Sequence, residues 1–120
     1  MAIKFISDKK TLLSLIQPAL SATSTKSTLP ALEGLLFSLG SDGMLTVCGY
    51  DLEKGVKTSA PVYPKEVGSV ILNAQKIYAI IKNLPECEIE INADEKNAVG
   101  IKGGASDFMI HGLAAEAFPN

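Results

Sequence analysis

The sequence predicts an α+β domain built from two copies of a β-α-β-β-β pattern. Two segments, 8–21 and 74–84, place apolar residues at helical spacing, and each follows a short apolar strand. Each predicted helix is followed by three strand-like runs separated by turn signals. Because each half has one helix and mostly antiparallel strands, we expect the halves to share one core, with two helices on one face of the antiparallel sheets.

The first half begins with a strand at 3–7 and a helix that starts at Asp8, a favourable N-cap. Pro18 is expected to kink or end this helix, because a proline removes a backbone hydrogen bond. Pro61 and Pro64 mark the connection to the second half. The helix places these apolar residues on one face: Leu12, Leu13, Ile16, Ala19 and Leu20. After a Ser/Thr-rich loop, the predicted strands are 32–40, 44–50 and a partly polar 51–60.

The second half repeats the pattern with a strand at 69–72 and a helix at 74–84, which Pro85 ends. A shift of 65 positions lays Asp8 on Asn73, a second potential N-cap. Identity between the halves is low, so accidental agreement is the alternative to a true repeat. The core side of this helix is predicted to hold Ile77, Ile80, Ile81 and Leu84. The remaining strands are predicted at 87–92, 98–103 and 107–112.

Length and composition indicate one globular domain without a strong overall charge. The chain has 120 residues, is 47% hydrophobic and carries a net charge of -2, which excludes a global basic footprint for nucleic acid. All eleven cations are lysines. Because arginine makes the bidentate contacts that read guanine, base-specific recognition is not expected. A biased genome composition explains the missing arginine at least as well.

Two cysteines, Cys48 and Cys87, lie in strand-like runs without C-x-x-C spacing. They are predicted to be buried free thiols rather than a disulfide or a metal site, which fits a reducing cytosol. The N-terminal apolar run is too short for a signal peptide, and no stretch reaches the roughly 18 apolar residues of a membrane span. We expect a soluble cytoplasmic protein without metal or cofactor.

No group of residues in the sequence indicates catalysis. His111 is the single histidine, and a lone histidine in a terminal strand is more often a surface or edge residue than a general base. The alternating glutamates of 86–90 are typical of a solvated strand face, and Asp51 and Glu53 have no histidine partner. Nucleophile-elbow and phosphate-loop motifs are missing from the sequence. An enzyme is therefore not expected.

The outward faces of the predicted helices carry lysines and small polar residues but no carboxylate. Lys10 and Ser14 lie on this side of the first helix, and Gln75, Ala79 and Lys82 lie on it in the second. The default interpretation is an ordinary solvated helix face. The alternative is a mildly basic helical side opposite an acidic sheet side.

The last predicted strand places Phe108 and Ile110 on one side, close to the chain end. Either these residues face the core, or the strand is an interface edge, since an exposed apolar edge strand is a pairing hazard. Lys76 lies on the flank of the second helix, next to Ile80.

Four segments resemble the N-terminal domain of the bacterial DNA polymerase III beta subunit, the beta sliding clamp family: 28-TLPAL-32, 49-GYDLE-53, 82-KNLPE-86 and 118-FPN-120. Their order and spacing match over essentially the whole chain, and the doubled pattern is also that of the family. The resemblance implies a DNA-clamp domain, with 1–120 as the first of three. It implies a non-catalytic processivity factor for DNA replication, in which two chains close head to tail into a homodimer ring around duplex DNA.

The resemblance also implies roles for individual residues. Lys26 takes the place of a basic residue in a loop that faces DNA, and Lys82 matches a basic position on a DNA-facing helix. Gln75 falls where a basic residue is common. Lys10 is added to this DNA-facing set because it lies on the outward face of the first predicted helix. The family's ring interface corresponds to Lys76, Ile80, Phe108 and Ile110.

The resemblance implies further partners beyond DNA and the second subunit. The clamp loader and the replicative polymerase bind the family's later domains, so their pocket is expected to be absent from this chain. The alternative function is a protein interaction module of the same fold that makes no DNA contact and uses the acidic sheet face.

Overall fold

The computed structural model describes residues 2–23 and 30–119, which form two helices and nine strands. The first half contains β1 (Ile3–Asp8), α1 (Lys9–Leu20), β2 (Gly34–Leu39), β3 (Met44–Tyr50), β4 (Gly55–Pro61) and β5 (Tyr63–Glu66). The second half contains β6 (Gly68–Asn73), α2 (Ala74–Asn83), β7 (Glu88–Ala93), β8 (Ala98–Gly103) and β9 (Ser106–His111). Short 3₁₀ turns lie at Pro30–Glu33 and Ala115–Ala117.

The strands form two antiparallel sheets, and the first strand of each half lies in the sheet of the other half. The five-stranded sheet has the order β5-β1-β7-β8-β9, and the four-stranded sheet has the order β4-β3-β2-β6. Thus β1 joins the strands of the second half, whereas β6 joins those of the first half. Neither half can complete its sheet alone, and the predicted α+β architecture with one shared core is confirmed.

Both helices begin at the predicted caps. The Asp8 carboxylate accepts a hydrogen bond from the Thr11 amide at 2.8 Å, and the Asn73 side chain accepts one from the Lys76 amide at 3.0 Å. The 65-residue shift lays β1 on β6 without an offset. The repeat therefore extends from the strand through the cap to the first helical turn.

The core side of each helix is close to the prediction. In α1 the buried residues are Leu12, Leu15, Ile16 and Ala19, and in α2 they are Ala74, Ile77 and Ile81. Leu13, Leu20 and Ile80 are only half-buried at the edge of the core. Leu15, which the predicted face omitted, is fully part of the core.

Pro18 lies inside α1, which continues to Leu20. The ring is exposed, so the helix accommodates it on the solvent side and ends two residues later. Pro18 therefore does not end the helix, and α1 covers nearly all of the predicted segment 8–21.

The connection predicted around Pro61 and Pro64 is wrong, because the chain forms an additional strand there, β5. This strand pairs with β1 alone, at the edge of the five-stranded sheet, and the β1 register shifts between Lys4 and Phe5. An edge strand tolerates a proline, because the missing N–H can face away from its neighbour. The proline that indicated a loop is thus compatible with a strand.

Candidate functional site

Lys9, the first residue of α1, links this helix to the C-terminal end of α2. Its ammonium donates to the carbonyl oxygen of Lys82 at 3.0 Å and to that of Leu84 at 2.6 Å. These carbonyls lie at the C-terminal end of α2, where a positive charge is favourable for the helix dipole. The beginning of α1 therefore lies beside the end of α2.

A second link joins the middle of the helix pair. The Gln17 side-chain amide donates to the Tyr78 hydroxyl at 3.3 Å. The Lys82 ammonium lies 5.7 Å from the centroid of the Tyr78 ring, within the range of a cation–π contact. Tyr78 thus connects α1 to the lysine at the end of α2.

Three of the four residues predicted to face DNA lie exposed on the helices: Lys10, Gln75 and Lys82. Lys10 follows Lys9 in the first turn of α1, so Lys10 and Lys82 lie at the same end of the helix pair. Gln75 lies at the other end of α2, about 10 Å away along the helix axis. Lys26, the fourth, lies outside the described residues.

The charged side chains within α1 and α2 are all lysines. Neither α1 nor α2 contains a carboxylate, and Lys76 adds a further exposed ammonium in the first turn of α2. The nearest acid in sequence, Asp8, is occupied as an N-cap, and the hydrogen bonds from Thr11 lower its pKa. Mobile lysine ammonium groups without a fixed fork can meet phosphates at many registers.

Two of the residues predicted for the ring interface, Phe108 and Ile110, lie on β9 at the edge of the five-stranded sheet. Phe108 and Ile110 lie opposite the buried Ile101 and Val99, so they share the core side of the sheet. Ile110 packs against the core, whereas Phe108 remains 38% exposed. The core-facing interpretation is therefore right about direction, and the interface role stays a prediction.

Lys76 and the end of β9 border the same cavity. A cavity of about 230 Å³ is lined by Lys76, His111 and Leu113, among others. Ile80 lies one turn after Lys76 and packs half-buried against the core. The structure thus brings one of the two predicted α2 residues close to the predicted strand.

Asp51 has a structural role in the turn between β3 and β4. Its carboxylate accepts hydrogen bonds from the amides of Glu53 at 2.9 Å and Lys54 at 2.7 Å, and these bonds lower its pKa. Leu52 takes a positive φ of 78° in this turn. Strand β4 therefore begins at Gly55. The prediction of a strand that begins at Asp51 is wrong.

Gly49 lies two residues before Asp51 in the segment 49-GYDLE-53, and a close contact requires a glycine there. A Cβ at this position would overlap the Ala19 carbonyl oxygen at the end of α1. The GYDLE segment therefore combines a helix-packing glycine with a turn-forming aspartate, and neither residue points to catalysis.

The remaining candidate residues are His111 and the two cysteines. His111 is exposed on the edge strand, as expected. Cys48 and Cys87 are free thiols, as predicted, but they are half-buried rather than buried. Across 2–23 and 30–119, no group of three His, Cys, Asp or Glu residues is placed to hold a metal ion. No helix in this part of the chain is long and apolar enough to cross a membrane.

Sequence reasoning missed Lys9, Gln17 and Tyr78. The contacts of Lys9 and Gln17 lie 61 to 75 residues away along the chain, so local periodicity carries no signal for them. The repeat gave no help either, because the equivalent of Lys9 in the second half is Ala74. For Tyr78, the one available indication in the sequence was its own aromatic side chain on the flank of α2.

Comparison with known proteins gives one consistent result. The model of the DNA polymerase III beta subunit, N-terminal domain, matches residues 3–120. The beta sliding clamp of Escherichia coli strain K12 is 33% identical over 120 residues, covering 98% of this chain and 32% of the relative. The chain therefore spans about a third of the length of the curated relatives that it matches.

Solved structures agree with the sequence comparison. The DNA polymerase sliding clamp from Bacillus subtilis superimposes with a TM-score of 0.94 at 27% identity, over 100% of this chain and 33% of that one. A sliding clamp from Pseudomonas aeruginosa gives a TM-score of 0.92 at 27% identity, over 100% of this chain and 32% of that one. The similarity thus covers both sheets and both helices.

Proposed function

Because the chain belongs to the family of the DNA polymerase III beta subunit, as its N-terminal domain, we propose that it is the first of three domains of a DNA sliding clamp. The length ratio supports three units, since the chain spans 32% to 33% of its curated relatives. The complete protein acts as a non-catalytic processivity factor, which encircles duplex DNA and tethers the replicative polymerase in the cytoplasm.

The helix pair forms the DNA-facing surface of this domain. Lys10, Lys26 and Lys82 contact the phosphate backbone without reading bases, and Gln75 lies on the same surface as a neutral position. The observation that carries this assignment is a helical face with exposed lysines and no carboxylate. Long-range attraction between lysines and phosphates holds no register, which is what sliding requires.

One side of the ring interface is formed by Lys76, Ile80, Phe108 and Ile110. A second subunit binds here head to tail, through a domain that this chain does not contain. The open edge of β9 and the 38% exposure of Phe108 support the assignment. The clamp loader and the polymerase bind through the later domains.

The DNA assignment is tested by replacing Lys10, Lys26 and Lys82 with Glu in the full-length ring. We expect loss of clamp loading and of processive DNA synthesis, because each change turns attraction to phosphate into repulsion. The matched control replaces the exposed sheet residues Lys57, Lys65 and Lys102 with Glu, which changes the net charge equally. If both triple variants behave alike, the helix face does not contact DNA and the interaction-module alternative is favoured.

The isolated domain offers a second measurement. We expect weak binding to duplex DNA whose affinity falls steeply as salt rises, because the contacts are to phosphates. Tight binding that depends on base sequence, or that does not change with salt, would contradict the proposal.

A further inference from the structure

The turn between β3 and β4 exposes one large apolar side chain. Leu52, two residues after the end of β3 at Tyr50, is 55% exposed. Its φ of 78° lies in the left-handed region, which is unfavourable for a branched apolar residue. In the ranges 2–23 and 30–119, the other non-glycine residue with a positive φ is Asn97, whose short polar side chain tolerates this region. Leu52 therefore combines an unfavourable backbone conformation with an unfavourable exposure.

The hydrogen bonds of the turn fix Leu52 in this position. The Asp51 carboxylate accepts from the amides of Glu53 at 2.9 Å and Lys54 at 2.7 Å, and the Asp51 amide donates to the Lys54 carbonyl at 3.1 Å. The Tyr50 hydroxyl donates to the Leu52 carbonyl at 3.5 Å. Leu52 lies outside the hydrophobic core of the described residues. An ordered turn thus presents a leucine that the core of this domain does not use.

The last described residues of the chain lie beside the strands that lead into this turn. Phe118 and Pro119 border a cavity of about 470 Å³ together with Cys48 and Lys57. Cys48 and Lys57 are opposite each other on β3 and β4, and the turn follows two residue pairs later, about 7 Å along the strands. About three or four extended residues after Pro119 are therefore enough to reach Leu52.

The margin of the core on this side of the domain is open. β4 is an edge strand of the four-stranded sheet, so within the described ranges one of its sides has no partner strand. Val56 and Ala60 of β4 pack against the core but are only half-buried. A segment that covers this side of the domain would therefore bury apolar surface of β4 as well as Leu52.

We infer that Leu52 is an apolar contact for the segment that follows Asn120 in the longer protein. The inference rests on the proposed function, in which the chain continues into a second domain, since it spans only 32% to 33% of its curated relatives. An apolar side chain of that segment packs on Leu52, and the burial offsets the unfavourable backbone conformation. The domain thereby holds the beginning of the next unit in a defined position.

This contact is separate from the two surfaces of the proposed function. Leu52 lies on neither helix, and an apolar side chain has no attraction for phosphate. The proposed head-to-tail contact uses β9, which is the edge of the other sheet. The continuing chain is the partner that Phe118 and Pro119 bring beside the turn.

The contact is tested by thiol labelling of Leu52→Cys in a chain with Cys48→Ser and Cys87→Ser. The tagged peptide is quantified by mass spectrometry in the 120-residue chain and in the full-length protein. We expect labelling to be about tenfold or more slower in the full-length protein, because the thiol must first become uncovered. Ser41→Cys is the control, since Ser41 is exposed in the turn at the opposite end of β3 and should react equally in both lengths.

Equal labelling of Leu52→Cys in the two lengths overturns the inference. Protection that disappears on dilution, when the ring separates into single chains, would assign the contact to a second subunit and overturns it as well. The labelling requires neither DNA nor a closed ring. It can therefore fail while the lysine variants still lose clamp loading, and in that case the proposed function stands and this inference does not.

One substitution should have different effects in the two lengths. Asparagine adopts the left-handed region more readily than leucine, so Leu52→Asn should raise the melting temperature of the 120-residue chain by about 3–6 °C. In the full-length protein the same change removes the apolar contact, so amide hydrogen exchange just after Asn120 should accelerate severalfold. Leu52→Met is the matched control, because it keeps an apolar side chain and should leave this exchange nearly unchanged.

Each half of this test can fail separately. A lower melting temperature of Leu52→Asn in the 120-residue chain would mean that the leucine already stabilises the domain alone, which contradicts the inference. Unchanged exchange after Asn120 in the full-length variant would mean that Leu52 does not hold the following segment.

Discussion

The two helices have equivalent places in the fold but differ at their ends. α1 begins with Lys9, whose ammonium binds two carbonyls at the end of α2. The equivalent first residue of α2 is Ala74, which is fully buried and makes no such link. The end of α2 is therefore held by a charge from the other half, whereas the end of α1 receives none from the equivalent position.

The edge strands β4 and β9 also differ, in the size of the side chains on their core sides. On its core side β4 carries Val56, Thr58 and Ala60, and the Thr58 hydroxyl donates to the Leu15 carbonyl of α1 at 2.7 Å. On the core side of β9 lie Phe108 and Ile110, which are larger and leave apolar area at the open edge. The two halves are thus alike in the side chains that form the shared core. They differ in the side chains at their helix ends and on their edge strands.

The largest expected effects test whether the two halves form one cooperative core. Leu12 and Ile77 are equivalent under the 65-residue shift, and both are fully buried. We expect Leu12→Ala and Ile77→Ala each to lower the free energy of unfolding by about 2–5 kcal/mol. Urea denaturation followed by circular dichroism should show a single transition in both variants, because each sheet contains strands from both halves.

Leu13 and Ile80 provide the matched controls, since both lie half-buried at the margin of the same core. Their replacement with alanine should cost clearly less than the buried positions. Two separate unfolding transitions, or a loss confined to one half, would show that the halves fold independently.

The next largest effects are expected from the two helix caps. Their contributions to stability should depend on pH in different ways. We expect Asp8→Ala and Asn73→Ala each to destabilise the fold by about 0.5–2 kcal/mol, because each leaves a first-turn amide without its acceptor. Hydrogen bonds from Thr11 lower the pKa of Asp8 in the folded chain. Its contribution is therefore present above about pH 4, the ordinary aspartate pKa, and is lost as pH falls through the lowered folded value.

The amide of Asn73 does not titrate, so its cap should persist in acid. Stability measured from pH 7 to pH 2 should show the Asp8→Ala penalty shrinking at low pH, whereas the Asn73→Ala penalty does not follow the titration of its own side chain. Equal pH dependence of the two penalties would mean that other carboxylates, such as Asp51 and Asp94, dominate the acid response.

The repeat and the helix faces could be predicted from the sequence, because both depend on the spacing of apolar residues along the chain. Asp8 and Asn73 could be predicted as caps for the same reason, since a cap acts within four residues of itself. Two local predictions failed where one residue type serves two purposes. Pro64 is compatible with an edge strand as well as with a loop, and Asp51 forms a turn although its surroundings resemble a strand.

The candidate site was less accessible from the sequence. The outward placement of Lys10 and Lys82 follows from periodicity, but their position at one end of the helix pair depends on tertiary packing. The open side of β9 follows from the order of strands in the sheet, which no local pattern contains. Whether Phe108 lies in an interface depends on a second molecule. Neither the exposed fraction of its side chain nor its neighbours within the chain can decide this alone.

The smallest expected effect tests the difference between the helix ends. Lys9→Met removes two hydrogen bonds but keeps the aliphatic stem, so we expect a loss of about 0.5–1.5 kcal/mol, at the modest end because the carbonyls remain near solvent. Amide hydrogen exchange should accelerate in the last turn of α2 and not in the first turn of α1. Lys9→Arg should retain most of the protection, because a guanidinium can also donate to two carbonyls.

Lys10→Met is the matched control, since Lys10 lies exposed in the same turn. It should leave hydrogen exchange in α2 unchanged. If the helix face contacts DNA as proposed, it should also weaken the affinity for duplex DNA, because one attractive charge is removed. If Lys9→Met leaves exchange at the end of α2 unchanged, the lysine does not hold that end. The two helix ends would then differ in sequence but not in stability, and the asymmetry between the halves would be confined to β4 and β9.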